Sequence, residues 1–419
     1  MLDVRLGVRA IVRNPGLSFV AVCALAIGIP VGLAPMHAVD ALERPWPGDP
    51  EGRIHTLCYW RDTAHEHATT GDYAAWRTSL KSFGALAAYR PTTANLEMGG
   101  VALSVTGIET TASTFDILSA SALVGRVLRP DDEQFGAPGA VVIGHDLWRA
   151  QFGSDPNIVG RPLLIGGAQF SVVGVMPPEF RFPTTHQLWM PLRLPGDGGL
   201  PRSGATLVVF GRLADGVTAD SAEAELQALT SSLAAADGDA FDRLRPAVLP
   251  AWHLTFDFPS RGGLRALPEF SLIQLLMLAP LFVACVNVGL LILAQTSTRA
   301  SEFAVRTALG ASRGRILTQV FVEFMVLAVV AAGAGLLILD WLPGRVLTAM
   351  GITLPYWIDT GLNAAAVFRA LVLAAGCAVI AAVVPAARMT GRSVDANMKR
   401  ARAGRSGSRL GGLPGALIV

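Results

Sequence analysis

The densest group of potential metal ligands in this 419-residue chain is His65-Glu66-His67. Imidazoles two residues apart do not share a helix face, and the His-Glu-x-x-His spacing that stacks two of them on one face is absent. The trio reads as a surface loop. Asp131-Asp132-Glu133 follows Pro130 and reads as a solvated turn in preference to a cation site. Gly310-Ala311-Ser312-Arg313-Gly314 matches the nucleophile-elbow pattern, whose serine must sit on a strand-to-helix turn. Here it lies in an Arg-rich stretch between apolar runs, with no strand before it. A phosphate-binding loop needs Gly-Lys-Ser/Thr, yet the only lysines are Lys81 and Lys399, and neither follows glycine. Catalytic, cofactor-binding and metal residues are therefore all assigned as none, and ATP hydrolysis falls to another subunit if it drives this one.

The elements that would position any chemistry are membrane elements first. The chain is 52% hydrophobic and 16% charged, with mean hydropathy +0.46, too apolar for an ordinary soluble enzyme. A hydrocarbon core of about 30 Å needs roughly 20 apolar residues in helix. Asn14–Val39 and Phe270–Thr298 are charge-free, Ile316–Leu339 holds only Glu323, and Ala370–Ala387 is charge-free and extends back past Arg369. Four transmembrane helices are expected, at 14–39, 270–298, 316–339 and 364–387. The apolar run continues from Ile27 to Val39, beyond the length of a signal-peptide core, so the first is expected as an uncleaved anchor.

The formal net charge of +2 hides a partition. Residues 1–13 carry three Arg and one Asp, 299–315 carry four Arg and one Glu, and 388–419 carry seven basic residues and one Asp. Residues 40–269 carry 18 basic and 26 acidic groups. Basic residues in short flanking loops stay cytoplasmic, so the 1–13 tip, the 299–315 loop and the 388–419 tail are expected inside. The 40–269 domain and the 340–363 loop are then outside. Basic blocks beside apolar runs are membrane topology, not a nucleic-acid footprint. Of four cysteines only Cys58 falls in the outer region, so no intrachain disulfide can form within it.

That region has the grammar of an α+β domain in two lobes. Asp72 is expected to cap a helix whose Trp76, Leu80 and Phe83 recur on one face. Strands are expected at Val101–Gly107, Ala140–Ile143, Pro162–Ile165 and Phe170–Val175. Thr218–Ala236 reads as a helix with Ala222, Leu226, Leu229 and Leu233 on one face.

The stretch Gly125–Pro178, with GRVLRPDD, VVIGHDLWRAQFGSDPNIVGRPLLIGG and FSVVGVMPPEF, resembles the periplasmic core domain of MacB-like ABC transporter permeases. ASEFAVRTALGASRGRILTQVFVE resembles the FtsX-type permease signature between the second and third spans. The chain is most similar to the first half of the long duplicated permeases first noted in acidobacteria, and GGLPGALIV after the basic tail looks like the start of a fifth span. The resemblance implies a bacterial inner-membrane protein with both termini cytoplasmic. Its outer domain would have a porter-like lobe from residues 40 to about 100 and about 180 to 265, with an inserted lobe between them. It also implies a separate cytoplasmic ABC ATPase, a dimer or pseudo-dimer with a second permease half, and a periplasmic adaptor or target protein.

Within the 299–315 loop, Glu302 and Arg306 are spaced i, i+4 in the favourable order on a helix, and Gly310 suits a helix C-cap. By resemblance this amphipathic segment docks in a groove of the ATPase, with Glu302, Phe303, Arg306, Leu309 and Gly310 as coupling residues. Anchoring of the arginines at anionic headgroups is the competing reading. Gly28 and Gly32 form a GxxxG on the first span, a pattern that lets helices approach closely, and Pro30 and Pro35 favour a kink. Asn287 is placed to hydrogen-bond between helices. The leading expectation is a permease subunit coupling ATP turnover to work in the periplasm by mechanotransmission, as in efflux or export. The alternatives are an FtsX-like scaffold that regulates a periplasmic enzyme and, least supported, a membrane-anchored enzyme.

Overall fold

The structure is a computed structural model and describes residues 15–44, 46, 49–62, 64–98, 101–194, 200–235, 239–254, 267–298, 313–351 and 354–390. Pro15–Leu42 forms α1, which stays helical through Pro30 and Pro35. It runs three residues past the expected end at Val39.

Among the described residues a twelve-stranded mixed sheet follows. Its first members are β1 (Ile54–Arg61), β2 (Ala64–Glu66) and β3 (Ala68–Thr69), then α2 (Thr70–Ser79), β4 (Phe83–Met98) and β5 (Val101–Thr110). Next come α3 (Ser113–Ile117), β6 (Val124–Gly125), β7 (Ala140–Ile143), α4 (His145–Phe152), β8 (Pro162–Ile165) and β9 (Ala168–Val175). The unit is completed by β10 (Leu188–Pro191), β11 (Thr206–Leu213), α5 (Ala219–Ala234) and β12 (Leu244–Pro250). The main path is β12-β1-β11-β4-β5-β10-β7-β9-β6. Strands β4 and β5 pair antiparallel from Tyr89↔Thr110 to Met98↔Val101, and this long hairpin lies in the middle of the path. β10 runs parallel to β5, and β7 runs parallel to β9.

Each end of the sheet has its own core. Tyr59, Trp76, Leu207, Leu226 and Val248 pack at the β12 end, and Val141, Trp148, Val172 and Leu188 at the β6 end. Between them Trp46, Tyr89, Phe182, Trp189 and Phe210 form an aromatic middle. Trp76 has no solvent exposure, and full burial of a large apolar side chain contributes on the order of 2–3 kcal/mol. The expected strands at Ala140–Ile143 and Pro162–Ile165 are present with those bounds, while those at Val101–Gly107 and Phe170–Val175 extend to Thr110 and back to Ala168.

Three local expectations are corrected. α2 ends at Ser79, so Leu80 is its extended C-cap and Phe83 opens β4 instead of continuing the face of Trp76. Thr69, not Asp72, is the N-cap of α2: its side chain accepts from Asp72 N–H, and the Asp72 carboxylate accepts from Thr69 N–H in return. A cap must precede the helix, and Asp72 already lies in its first turn. His65-Glu66-His67 is not a surface loop: β2 holds His65 and Glu66 against β1, and all three residues are half-buried. On a strand, residues two apart do share a face. α5 begins after its N-cap Thr218, with Ala222 and Leu226 buried and Leu229 and Leu233 partly so.

The remaining helices are α6 (Pro268–Thr298), α7 (Arg313–Ala349) and α8 (Ala364–Thr390). Among the described residues, Ser18–Leu42, Pro268–Leu290 and Phe321–Ala349 are long and apolar enough to cross a membrane, and Ala364–Ile380 is apolar but shorter. α7 continues through Pro343 to Ala349, ten residues past the expected end at Leu339, so the expected 340–363 loop begins as helix. One compact unit holds Ala38–Ser271 with Arg345–Thr360; the other holds the described residues of Met1–His37, Leu272–Gly344 and Gly361–Val419. The stretch after α7, as far as Thr360, therefore belongs to the sheet unit.

Candidate functional site

In the helical unit, Ala21, Leu25 and Ile29 of α1 share one core with Leu281 of α6, Phe324 and Ala331 of α7, and Ala374 of α8. Glycine sets the spacing. A Cβ on Gly28 would lie 3.0 Å from Leu281 Cδ1 and 3.2 Å from its Cα; one on Gly32 would lie 3.0 Å from Leu278 Cδ2. A Cβ on Gly335 of α7 would lie 2.9 Å from Pro30 Cδ and 3.2 Å from the Ala26 carbonyl oxygen. Pro30 has no N–H for that carbonyl, and the glycine backbone of the neighbouring helix covers the gap. Gln274 Nε2 donates to the Gly32 carbonyl at 2.8 Å, a polar tie between α1 and α6. Gly335 is a residue that a search for GxxxG on the first span alone does not reach.

Glu302, Phe303, Arg306, Leu309 and Gly310, together with Ser312, lie outside the described residues. Asn287 is exposed on α6 and not turned into the helix core, which corrects its expected role between this chain's helices. Glu323 is half-buried on α7.

In the sheet unit, charges are paired inside the fold. The Asp72 carboxylate has no solvent exposure and accepts from Thr69 N–H and Oγ1–H, both at 2.8 Å. It also accepts from Arg202 N–H at 3.0 Å and Nη1 at 3.1 Å. The other arm of Arg202 donates to Glu66 at 2.8 Å, and its guanidinium lies 5.0 Å from the centre of the Tyr59 ring. The hydrogen bond from Arg61, assisted by the Arg202 charge, holds the Glu66 carboxyl below the usual carboxylate range. Burial pushes the Tyr59 phenol up. The 131–133 acidic run is a turn, as expected: Pro130–Glu133 forms one 3-10 turn with no fully buried residue; its carboxylates are engaged, with Arg126 gripping Asp132 by two bonds of 2.6 and 2.9 Å and Glu133 accepting from Ala112 N–H. Burial raises the Glu133 carboxyl. Among the described residues, no three or more His, Cys, Asp or Glu are grouped to hold a metal. Cys58 is 1% exposed on β1, so it cannot serve as a labelling site on the folded protein.

The segment after α7 joins the sheet unit's aromatic middle. Trp357 is 5% exposed, its ring centre lies 5.8 Å from that of Trp46, and its Nε1–H donates to the Pro183 carbonyl at 3.3 Å. Tyr356 N–H donates to the Thr184 carbonyl at 3.2 Å, and Arg44 Nη1 contacts Asp359 at 2.5 Å. The one signal for this was the aromatic pair in Leu354-Pro355-Tyr356-Trp357, unusual for a simple connection.

Comparison with known proteins matches the sheet unit and the helices separately. The MacB-like periplasmic core domain family matches residues 41–229, and the FtsX-like permease C-terminal family matches residues 275–394. The chain belongs to the MacB/FtsX-like ABC transporter permeases. These permeases include the macrolide export ATP-binding/permease protein MacB of Salmonella paratyphi A, which is 25% identical over 244 residues, or 58% of this chain and 36% of that protein. The chain thus spans about a third of the length of that curated relative. Among solved structures, a permease-protein domain from Porphyromonas gingivalis is similar with TM-score 0.38 at 14% identity, covering 49% of this chain and 92% of that one. The periplasmic region of MacB from Actinobacillus actinomycetemcomitans is similar with TM-score 0.36 at 17% identity, covering 48% and 91%.

Proposed function

We propose that this MacB/FtsX-like chain is a permease subunit that couples ATP hydrolysis by a separate cytoplasmic ABC ATPase to conformational work in the periplasm, as in efflux or export by mechanotransmission. The observation that carries the reading is the order of parts in one chain: a MacB-like core domain at 41–229, then an FtsX-like helical domain at 275–394, with no phosphate-binding loop in the 419 residues. The outer domain has a porter-like lobe at the β12 end of the sheet and an inserted lobe at the β6 end. α8 serves as a fourth span, both termini are cytoplasmic, and the protein sits in the inner membrane. Basic blocks on alternate sides of four spans support this orientation.

In this reading, Glu302, Phe303, Arg306, Leu309 and Gly310 engage the ATPase. Gly28 and Gly32 set the approach of α1 to its neighbours, because without side chains they let backbones come close. The chain works as one permease half beside a second, with a periplasmic adaptor or target protein outside.

Thiol labelling in intact cells tests the arrangement. Cysteine replacing Phe135, which is 67% exposed, reacts with an impermeant maleimide from outside, and Ser312→Cys reacts only after permeabilisation. Labelling of both from the same side removes the lever on which the reading depends. An FtsX-like regulator would show the same labelling, since the FtsX-like match at 275–394 is common to both readings; accumulation of an exported compound in a deletion strain separates them.

A further inference from the structure

A connection between two membrane helices normally needs only to span the gap, with its backbone at the surface and solvated. The chain after α7 does more. Over four consecutive residues it makes a backbone, a ring and a charge contact with the sheet unit. Tyr356 N–H donates to Thr184 at 3.2 Å, Trp357 enters the core that holds Trp46, Tyr89, Phe182 and Phe210, and Asp359 pairs with Arg44. The residues gripped are of two kinds. Arg44 and Trp46 come directly after α1, and Pro183 and Thr184 come from the turn before β10. Trp46 has two ring neighbours here, Trp357 at 5.8 Å in a tilted pair and Phe182 at 5.3 Å edge to face. The chain reaches this segment from the helical unit at Gly344 and returns to that unit at Gly361.

We propose that residues 354–359 are a strap by which the α7–α8 connection holds the outer domain non-covalently, with Trp357 as its plug and the Arg44–Asp359 pair as its clasp. The outer domain is then fastened to the helices at three places: through the chain after α1, through the chain before α6, and through this inserted segment. Within the mechanical reading proposed above, on which its purpose rests, the strap lets a shift of α7 and α8 reach the domain directly instead of only through its two covalent ends. Aromatic pairs of this geometry add attraction beyond the area they bury. The tryptophan N–H has its acceptor in Pro183, so the plug enters without leaving a polar group unpaired.

The strap is tested without any ATPase. Specific protease sites are inserted in the full chain after Leu42 and between residues 255 and 266, so that double cleavage in native membranes cuts both covalent links to the outer domain. With the strap intact, most of the cleaved domain stays with the membrane pellet through a high-salt wash and leaves only in urea. Trp357→Ala releases most of it as a protease-resistant folded fragment, and Asp359→Asn releases a smaller share. Release of the folded domain with the strap intact overturns the proposal, as does equal retention with Trp357→Ala. Trp357→Leu, which keeps the site apolar, guards against a folding defect: retention at the level of the unsubstituted strap also counts against the plug. Because no nucleotide or partner is present, release here leaves the ATPase reading standing, and failure of ATPase docking leaves a retained domain unexplained by anything but the strap.

Discussion

Arg202 meets the buried carboxylate of Asp72 at 3.1 Å across 130 residues of sequence. Removing one partner of a buried pair leaves the other charge uncompensated, typically at about 3–5 kcal/mol. Thr69 and the Arg202 backbone N–H still bond Asp72, so the lower end applies. Arg202→Met is expected to destabilise the outer domain by roughly 3 kcal/mol, seen as a lowered urea midpoint of the full chain. Asp72→Asn in the Arg202→Met background recovers part of the loss, and strictly additive losses would deny the pairing.

That pair also shows what a sequence can carry. α5 was legible because Thr218 and the Ala222–Leu226 spacing are local signals, and β7 and β8 were legible as short apolar runs between Gly and Pro turns. β1 was missed because it is buried on both faces, which removes the alternation that marks a half-buried strand. β4 was missed because Pro91, Thr92 and Thr93 interrupt it, although Gly99-Gly100 between Met98 and Val101 is a hairpin signal. The acceptor of the Trp357 indole lies 174 residues away, and nothing local encodes such a partner. Gly28 and Gly32 were found by their spacing, whereas Gly335 meets Pro30 only in three dimensions.

Alanine substitutions at these glycines should differ in order. Gly335→Ala meets a rigid ring carbon at 2.9 Å and a backbone oxygen at 3.2 Å; Gly28→Ala meets a backbone Cα at 3.2 Å; Gly32→Ala meets only the end of Leu278 within 3.0 Å. Overpacking costs typically about 1–3 kcal/mol. Thermal aggregation of the detergent-solubilised chain should therefore rise in the order Gly32→Ala, Gly28→Ala, Gly335→Ala. Gly32→Ala as the most damaging of the three would contradict the crossing described.

Cys285 of α6 and Cys377 of α8 are both buried in the one helical core. Mild oxidation with copper phenanthroline is expected to join them as an intrachain disulfide, a loss of two hydrogens by mass, and Cys377→Ser abolishes it. If both thiols stay free under oxidation that joins exposed control cysteines, α6 and α8 are not neighbours there.

Acid should weaken the outer domain through His186. Burial lowers this imidazole to about 4, against about 6.5 in an unfolded chain. Between those values the unfolded state binds the extra proton, so stability is fully present above about pH 6.5 and falls as pH drops towards 4. The loss is roughly 2 kcal/mol after allowance for partial solvent access. His186→Gln should flatten that part of the urea-midpoint profile between pH 4 and 6.5, and an unchanged slope would show that His186 is not its source.

The proposed coupling is tested most directly by in-membrane crosslinking from Phe303→Cys or Leu309→Cys to co-expressed candidate ABC ATPase subunits, repeated with Glu302 and Arg306 substituted. One ATPase is expected to crosslink, with the yield reduced by Glu302→Ala and Arg306→Ala. No crosslink to any ATPase, while the folded chain remains in the membrane, would contradict the assignment of residues 299–315 as the driven segment.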